Sequence, residues 1–245
     1  MDIATHRDHL TTEGVRLAHA AAAAEWDARV AGAEWSVREL VTHTGGVHRW
    51  AAAIIATASP TLDVAEAAAV GSGPADDELL DWYREGLATL VASLHAAPSD
   101  LECAAFLPAP SALAFWARRQ AHETAIHRAD AESASGAITP FDRNLAQDGI
   151  AELLRGFGAR PRKPTAIAGT IALRADDGDS WSVGLGTEHI EVANRALDEA
   201  AAIVRGTSSD LYLWLWNRPA AVRIDGNAEL AAQWKTVQVR WSSPG

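Results

Sequence analysis

The residue pattern of this chain changes at Gly136, and that change restricts the fold more than any other feature. Before it, apolar residues recur at helical spacing in four segments; after it, short alternating runs bounded by turn residues take over. Trp35-Ser-Val-Arg-Glu39 opens the second helical segment. Ser36 there is an N-cap with Glu39 three positions on, a capping box. It predicts a helix through Leu40, His43 and Trp50 to about Thr57 that tolerates Gly45 and Gly46 at some cost. A first helix is expected between Asp8 and Arg29, with Leu10, Val15, Leu17 and Trp26 for its inner face. A loop with Ser59-Pro60 and Gly71-Ser-Gly-Pro74 follows the second helix. Asp76 or Asp77 is then expected to cap a third helix carrying Leu79, Leu80, Tyr83, Leu87, Leu90 and Leu94. Ser111 caps a fourth, from 112 to about 133. Four such helices predict a bundle, in which metal sites are built from inward side chains of facing helices.

Past Gly136 a helix is expected near 141–156, then a linker, Arg160-Pro-Arg-Lys-Pro164. Strand character follows in Ala166 to Arg174, Trp181 to Leu185 and His189 to Val192, with Asp176-Asp-Gly-Asp179 as a hairpin turn. Ala200 to Arg205 reads as another strand, and Thr207 or Ser208 caps a helix through Leu211, Leu213, Leu215 and Trp216. Val222 to Ile224 is a short strand and Ala228 to Val237 a last helix. The expected fold class is α+β: a four-helix bundle over residues 1–138, then a small α+β domain over 139–245.

Composition narrows the partners. A net charge of −11 argues against nucleic acid, which needs an electropositive surface. No run of about 20 apolar residues is present, and the N-terminal stretch lacks the basic-then-apolar order of a secretory signal. A cytoplasmic protein with no membrane partner is therefore expected. The single cysteine, Cys103, allows no internal disulfide. Set among apolar residues from Leu101 to Leu107, it reads as a buried small hydrophobe.

The chemistry concentrates in Trp116-Ala-Arg-Arg-Gln-Ala-His-Glu-Thr-Ala-Ile-His-Arg-Ala-Asp130. Glu123 and His127 lie four apart, hence on one helix face, where a carboxylate and an imidazole can share a divalent ion. The run differs from the zinc-protease motif, because His122 and His127 are five apart, about 140° around the helix. A third ligand must come from elsewhere. The second helix offers His43, on the apolar stripe with Leu40 and Val47, and His48, read as nearer the polar side beside Arg49. Spacing alone leaves two readings open: a metal site, or a hydrogen-bonded core histidine with a Glu/His pair on a solvated face. Arg119, one turn before Glu123, suits either an orienting partner of the carboxylate or an ion-pair face with Arg118, Arg128 and Asp130.

Trp35-Ser-Val-Arg-Glu-Leu-Val-Thr-His43 and Arg118-Arg-Gln-Ala-His-Glu-Thr-Ala-Ile-His127-Arg-Ala-Asp130 resemble the mycothiol-dependent maleylpyruvate isomerase family, as does Gly206-Thr-Ser-Ser-Asp210 through Arg218. The resemblance spans essentially the whole chain. It implies a DinB-like bundle followed by a sterol-carrier-like domain, His43, Glu123 and His127 as metal ligands, and Arg218 as the catalytic arginine. It also implies a divalent metal, with zinc the first choice because it binds thiolate well, and mycothiol as thiol cofactor. A thiolate formed at the metal would add to a cis-enedione acid, allow rotation and leave, while Arg218 holds the substrate's negative charge. S-transfer to a small electrophile fits the same equipment. The alternatives are a non-catalytic metal- or small-molecule-binding module and a metal-dependent hydrolase. For Arg218 the plain alternative is a surface residue at a helix C-terminus.

Overall fold

The computed structural model describes residues 1–32, 34–63, 73–160, 164–195 and 198–237. Gly71 and Ser72 of the expected loop and residues 161–163 of the expected linker lie outside the described residues. The chain divides into two units, Met1–Thr139 and Pro140–Gly245.

The first unit is made of α1 (Ile3–Ala22), α2 (Val37–Thr57), α3 (Asp76–Ala96) and α4 (Ala112–Ser135). Local chemistry sets three of the four starts. Asp2 accepts from Thr5 N at 2.8 Å, and Ser111 from Ala114 N at 3.1 Å. Ser36 and Glu39 form the reciprocal capping box, with Ser36 N donating to Glu39 at 2.7 Å. α3 departs from expectation: its N-cap is Ala75, without a side-chain cap bond. Asp76 and Asp77 sit inside its first turn, where they favour the helix through the macrodipole, and Asp76 pairs with Arg38 of α2 at 2.6 Å.

Around the bundle the packed pairs run α1–α4, α4–α2, α2–α3 and α3–α1. Leu10, Leu17, Leu40, Ile54, Leu79, Leu90 and Leu94 are buried between them. Each such burial contributes about 1.5–3 kcal/mol, so this core outweighs exposed pairs such as Arg38–Asp76. Val15 breaks the expected pattern and is 46% exposed, because five residues from Leu10 it is turned about 140° away. Gly45 explains why α2 tolerates glycine in its middle. A Cβ there would strike the Trp82 ring, so the glycine admits α3 at close range. Trp116 is buried, as expected, whereas Cys103 is only half-buried.

In the second unit α5 (Arg143–Ala151) runs on into a π-helical turn, Glu152–Phe157. A five-stranded sheet follows, in the order β3-β2-β1-β4-β5: β1 (Gly169–Ala175), β2 (Ser180–Leu185), β3 (Glu191–Ala193), β4 (Ala202–Gly206) and β5 (Arg223–Gly226). The Asp-rich turn joins β1 to β2 as an antiparallel hairpin with Arg174 opposite Ser180, and β1 pairs with β4 in parallel. α6 (Ser208–Leu215) and α7 (Ala228–Gln233) pack on β1 and β4, and α6 is capped by Thr207. Trp216 is buried, and Trp214 stacks on Trp234.

Candidate metal centre

α2 and α4 bring three side chains able to bind a metal ion to one point of the bundle. Glu123 and His127 share a face of α4, and Glu123 Oε1 lies 3.1 Å from His127 Nε2. His43 arrives from α2 with its Nε2 3.4 Å from the same oxygen. One ligand atom from each residue lies within 4.8 Å of the other two. Two ligands bound at about 2.1 Å to a tetrahedral ion stand about 3.4 Å apart, so these separations fit one small divalent cation. The donor set, two imidazoles and one carboxylate, suits zinc and its neighbours and leaves coordination positions open. The side chains of His43 and Glu123 are 28% and 24% exposed, so the cluster is reached from outside the bundle.

Two of the three candidate ligands are oriented from behind. Asp130, fully buried and one turn beyond His127, accepts from His127 Nδ1 at 3.0 Å, which leaves Nε2 as the outward ligand atom. Arg119 donates to Glu123 Oε2 at 3.2 Å, leaving Oε1 to face the histidines.

The charges respond to this arrangement. Burial opposes protonation of His127, yet its bonds to Asp130 and Glu123 and their charges push its pKa up to about 9. Burial likewise opposes ionisation of Glu123. The hydrogen bond and charge of His127, the bond of His43 and the charge of Arg119 outweigh it and hold the carboxyl well below its ordinary range. In the protein without an ion, a proton on His127 thus supplies the positive charge that the carboxylates call for.

The other sequence candidates fall outside this cluster. His48 corrects the sequence reading: it is fully buried, not on a polar side. α2 is covered by α3 on one flank and α4 on the other, so a residue off the His43 stripe is also enclosed. Its Nε2 meets Thr124 Oγ1 at 2.8 Å, its ring packs on Tyr83, and burial drives its pKa down to about 3. His122 is buried with its ring against His6. Arg128 is no member of a solvated face: it is buried and donates to Glu13 of α1 at 2.6 Å. Asp130, weighed in the sequence with that same face, is instead the orienting partner of His127. Its spacing of three from His127 was the available signal. Sequence reasoning assigned no role at the site to Trp35, whose ring centroid lies 4.6 Å from that of His43 and 5.8 Å from that of His127.

Arg218 follows α6 by way of a left-handed turn. Asn217 has φ +60°, Asn217 N donates to Trp214 O, and Arg218 N donates to Leu213 O at 2.9 Å, a Schellman closure. This bend folds the arginine inward, so it is buried and not a surface residue, and its Nη1 donates to Trp216 O at 2.8 Å.

Two family models match the chain: the mycothiol maleylpyruvate isomerase N-terminal domain over residues 7–132 and the MDMPI C-terminal domain over residues 144–233. The chain belongs to the mycothiol maleylpyruvate isomerase family. Its N-terminal family domain carries His43, Glu123 and His127, and its C-terminal family domain carries Arg218. A crystal structure of the mycothiol-dependent maleylpyruvate isomerase has the same fold, with a TM-score of 0.64 at 13% identity, covering 92% of this chain and 93% of that one. A histidine-to-alanine mutant of the mycothiol-dependent maleylpyruvate isomerase gives 0.61 at 12% identity, covering 87% and 88%. No curated protein sequence matches significantly. Among the described residues of this family member, no helix is long and apolar enough to cross a membrane.

Proposed function

We propose that this protein is a metal-dependent enzyme that uses mycothiol as its thiol and catalyses cis–trans isomerisation of a maleylpyruvate-like acid. The observation that carries the reading is the convergence of His43, Glu123 and His127, two of them oriented by buried partners and two of them partly exposed. Zinc is the proposed ion. Bound there, it would lower the pKa of an incoming thiol and supply a thiolate at neutral pH. Asp130, behind Nδ1, would leave Nε2 of His127 to hold the ion, and Arg119, on Oε2, would leave Oε1 of Glu123 to do so. The chain's own thiol is poorly suited to the task, since burial raises the pKa of Cys103 despite the Trp116 contact. Family membership supports mycothiol as the incoming thiol, and the site would take a small electrophilic substrate beside it. S-transfer to a small electrophile needs the same binding groups and differs only in whether the thiol leaves again.

Arg218 is the proposed anchor for the substrate carboxylate or the developing enolate, through its planar pair of donors. Arg218→Ala should lower kcat/KM about 100-fold while leaving zinc and mycothiol affinities within about twofold of wild type. Lysine should restore little, because it lacks the fork. The experiment is to supply the zinc-loaded protein with mycothiol and maleylpyruvate, follow the cis-to-trans conversion, and titrate mycothiol and glutathione by calorimetry. Turnover and binding with mycothiol, with little response to glutathione, are expected. Failure of both thiols to bind the zinc-loaded protein would overturn the reading.

A further inference from the structure

The three proposed ligands are not held alike. His127 has Asp130 behind its Nδ1, and Glu123 has Arg119 behind its second oxygen. Among the described residues His43 hydrogen-bonds only to Glu123, at a long 3.4 Å, although it is the most exposed of the three. A metal-binding imidazole ordinarily has a partner fixing its ring plane. What His43 has instead is an indole: Trp35 lies against it at 4.6 Å between centroids, tilted 42°, and reaches the His127 ring at 5.8 Å. The two imidazoles stand edge to face, 5.2 Å apart and 82° between planes, so the indole touches both members of a fixed pair.

The indole itself is firmly seated. Trp35 precedes the Ser36 cap, its carbonyl accepts from Val30 N at 3.0 Å, and Arg29 and Ser36 are bridged beside it. Ala31 N donates to Ser133 Oγ at 2.8 Å, which ties the same loop to α4 three residues from Asp130. Trp35 also packs on the core cluster containing Leu17, Val37, Leu40 and Tyr83.

Building on the metal reading above, we propose that Trp35 is a positioning residue of the metal centre. Its indole fixes the ring plane of His43, so that Nε2 would point at the ion, where no described residue orients the ring by a hydrogen bond from behind. The proposal assigns Trp35 a role in holding the ion, beyond its contribution to the core.

Zinc calorimetry on the full chain tests this, with wild type, Trp35→Ala, Trp35→Phe and, as a core control away from the ligands, Leu17→Val. Trp35→Ala should weaken zinc binding about tenfold, the lower end of the range for partners that orient a ligand. Trp35→Phe, which keeps an aromatic face, should recover most of the affinity, and Leu17→Val should bind as wild type. Visible absorption of the cobalt(II)-loaded protein, which reports the geometry of the coordinating side chains, adds a spectroscopic readout that a purely structural role would not move. The wild-type spectrum should be kept in Trp35→Phe and altered in Trp35→Ala. Wild-type zinc affinity in both Trp35 variants, or equal weakening in Leu17→Val, would overturn the role of Trp35 and leave the metal reading standing. Absence of zinc binding by wild type would overturn the metal reading, and this proposal with it.

Discussion

Along the interface of α2 and α4, two histidine environments lie little more than a turn apart, and they are opposites. Around His127 and His43 the side chains are charged, partly open and crowded with carboxylate: Glu123 between the rings, Asp130 behind one of them. Around His48 they are neutral and closed: the hydroxyl of Thr124, the ring of Tyr83 and no exposure. His127 is held near pKa 9 in the first and His48 near 3 in the second. Carboxylate partners outweigh desolvation in one place, and desolvation prevails in the other. Sharing a helix therefore does not make two histidines equivalent ligands. What matters is whether negative charge and an accessible face come with the ring.

The sharpest way to break this contrast is to remove the carboxylate at its centre. Glu123→Ala and His127→Ala should each weaken zinc binding by more than about 100-fold, exceeding the loss from any orienting partner, as calorimetry would register. Asp130→Asn comes next. It retains the shape but not the charge, and should cost about 10- to 100-fold in zinc affinity while lowering the pKa of His127, measurable by imidazole NMR titration.

Acidity probes both environments at once. Zinc must displace the proton that His127 holds up to about pH 9, so apparent zinc affinity should fall about tenfold per pH unit below that point. Calorimetry at three pH values checks the slope. In the ion-free protein the raised pKa of His127 contributes stability that is fully present below its ordinary 6.5 and disappears as pH rises through about 9. His48 acts with the opposite sign. Between 6.5 and about 3 the unfolded chain takes up a proton that the folded site refuses, so stability falls on acidification through that window. Melting curves of ion-free wild type and His48→Gln from pH 7 to 5 should show a shallower fall in the variant.

The smallest effect should come from Thr124→Val. It leaves His48 Nε2 without its bond and should cost about 1–3 kcal/mol of stability, with zinc affinity nearly unchanged.

What could be read from the sequence was local. The capping box of α2, the cap of α4 and the shared face of Glu123 and His127 depend on residues three or four apart, and each is found as expected. The bundle followed by a mixed sheet was legible for the same reason, since its signals are periodicities and turns. His48 was misread because its neighbour Arg49 suggested a polar side, whereas covering on two flanks is a property of packing. Asp130 carried the right spacing for its role, but spacing does not distinguish a buried imidazole partner from a surface ion pair. Trp35 was legible as part of a helix start and not as a neighbour of His127, which only the approach of α4 creates.

Elemental analysis of purified wild type, His43→Ala and His48→Ala after zinc loading and dialysis tests the central claim most directly. One zinc per chain is expected in wild type and in His48→Ala, with the ion largely lost from His43→Ala. Full zinc in His43→Ala, or loss confined to His48→Ala, would contradict the assignment of His43, Glu123 and His127 as the metal centre.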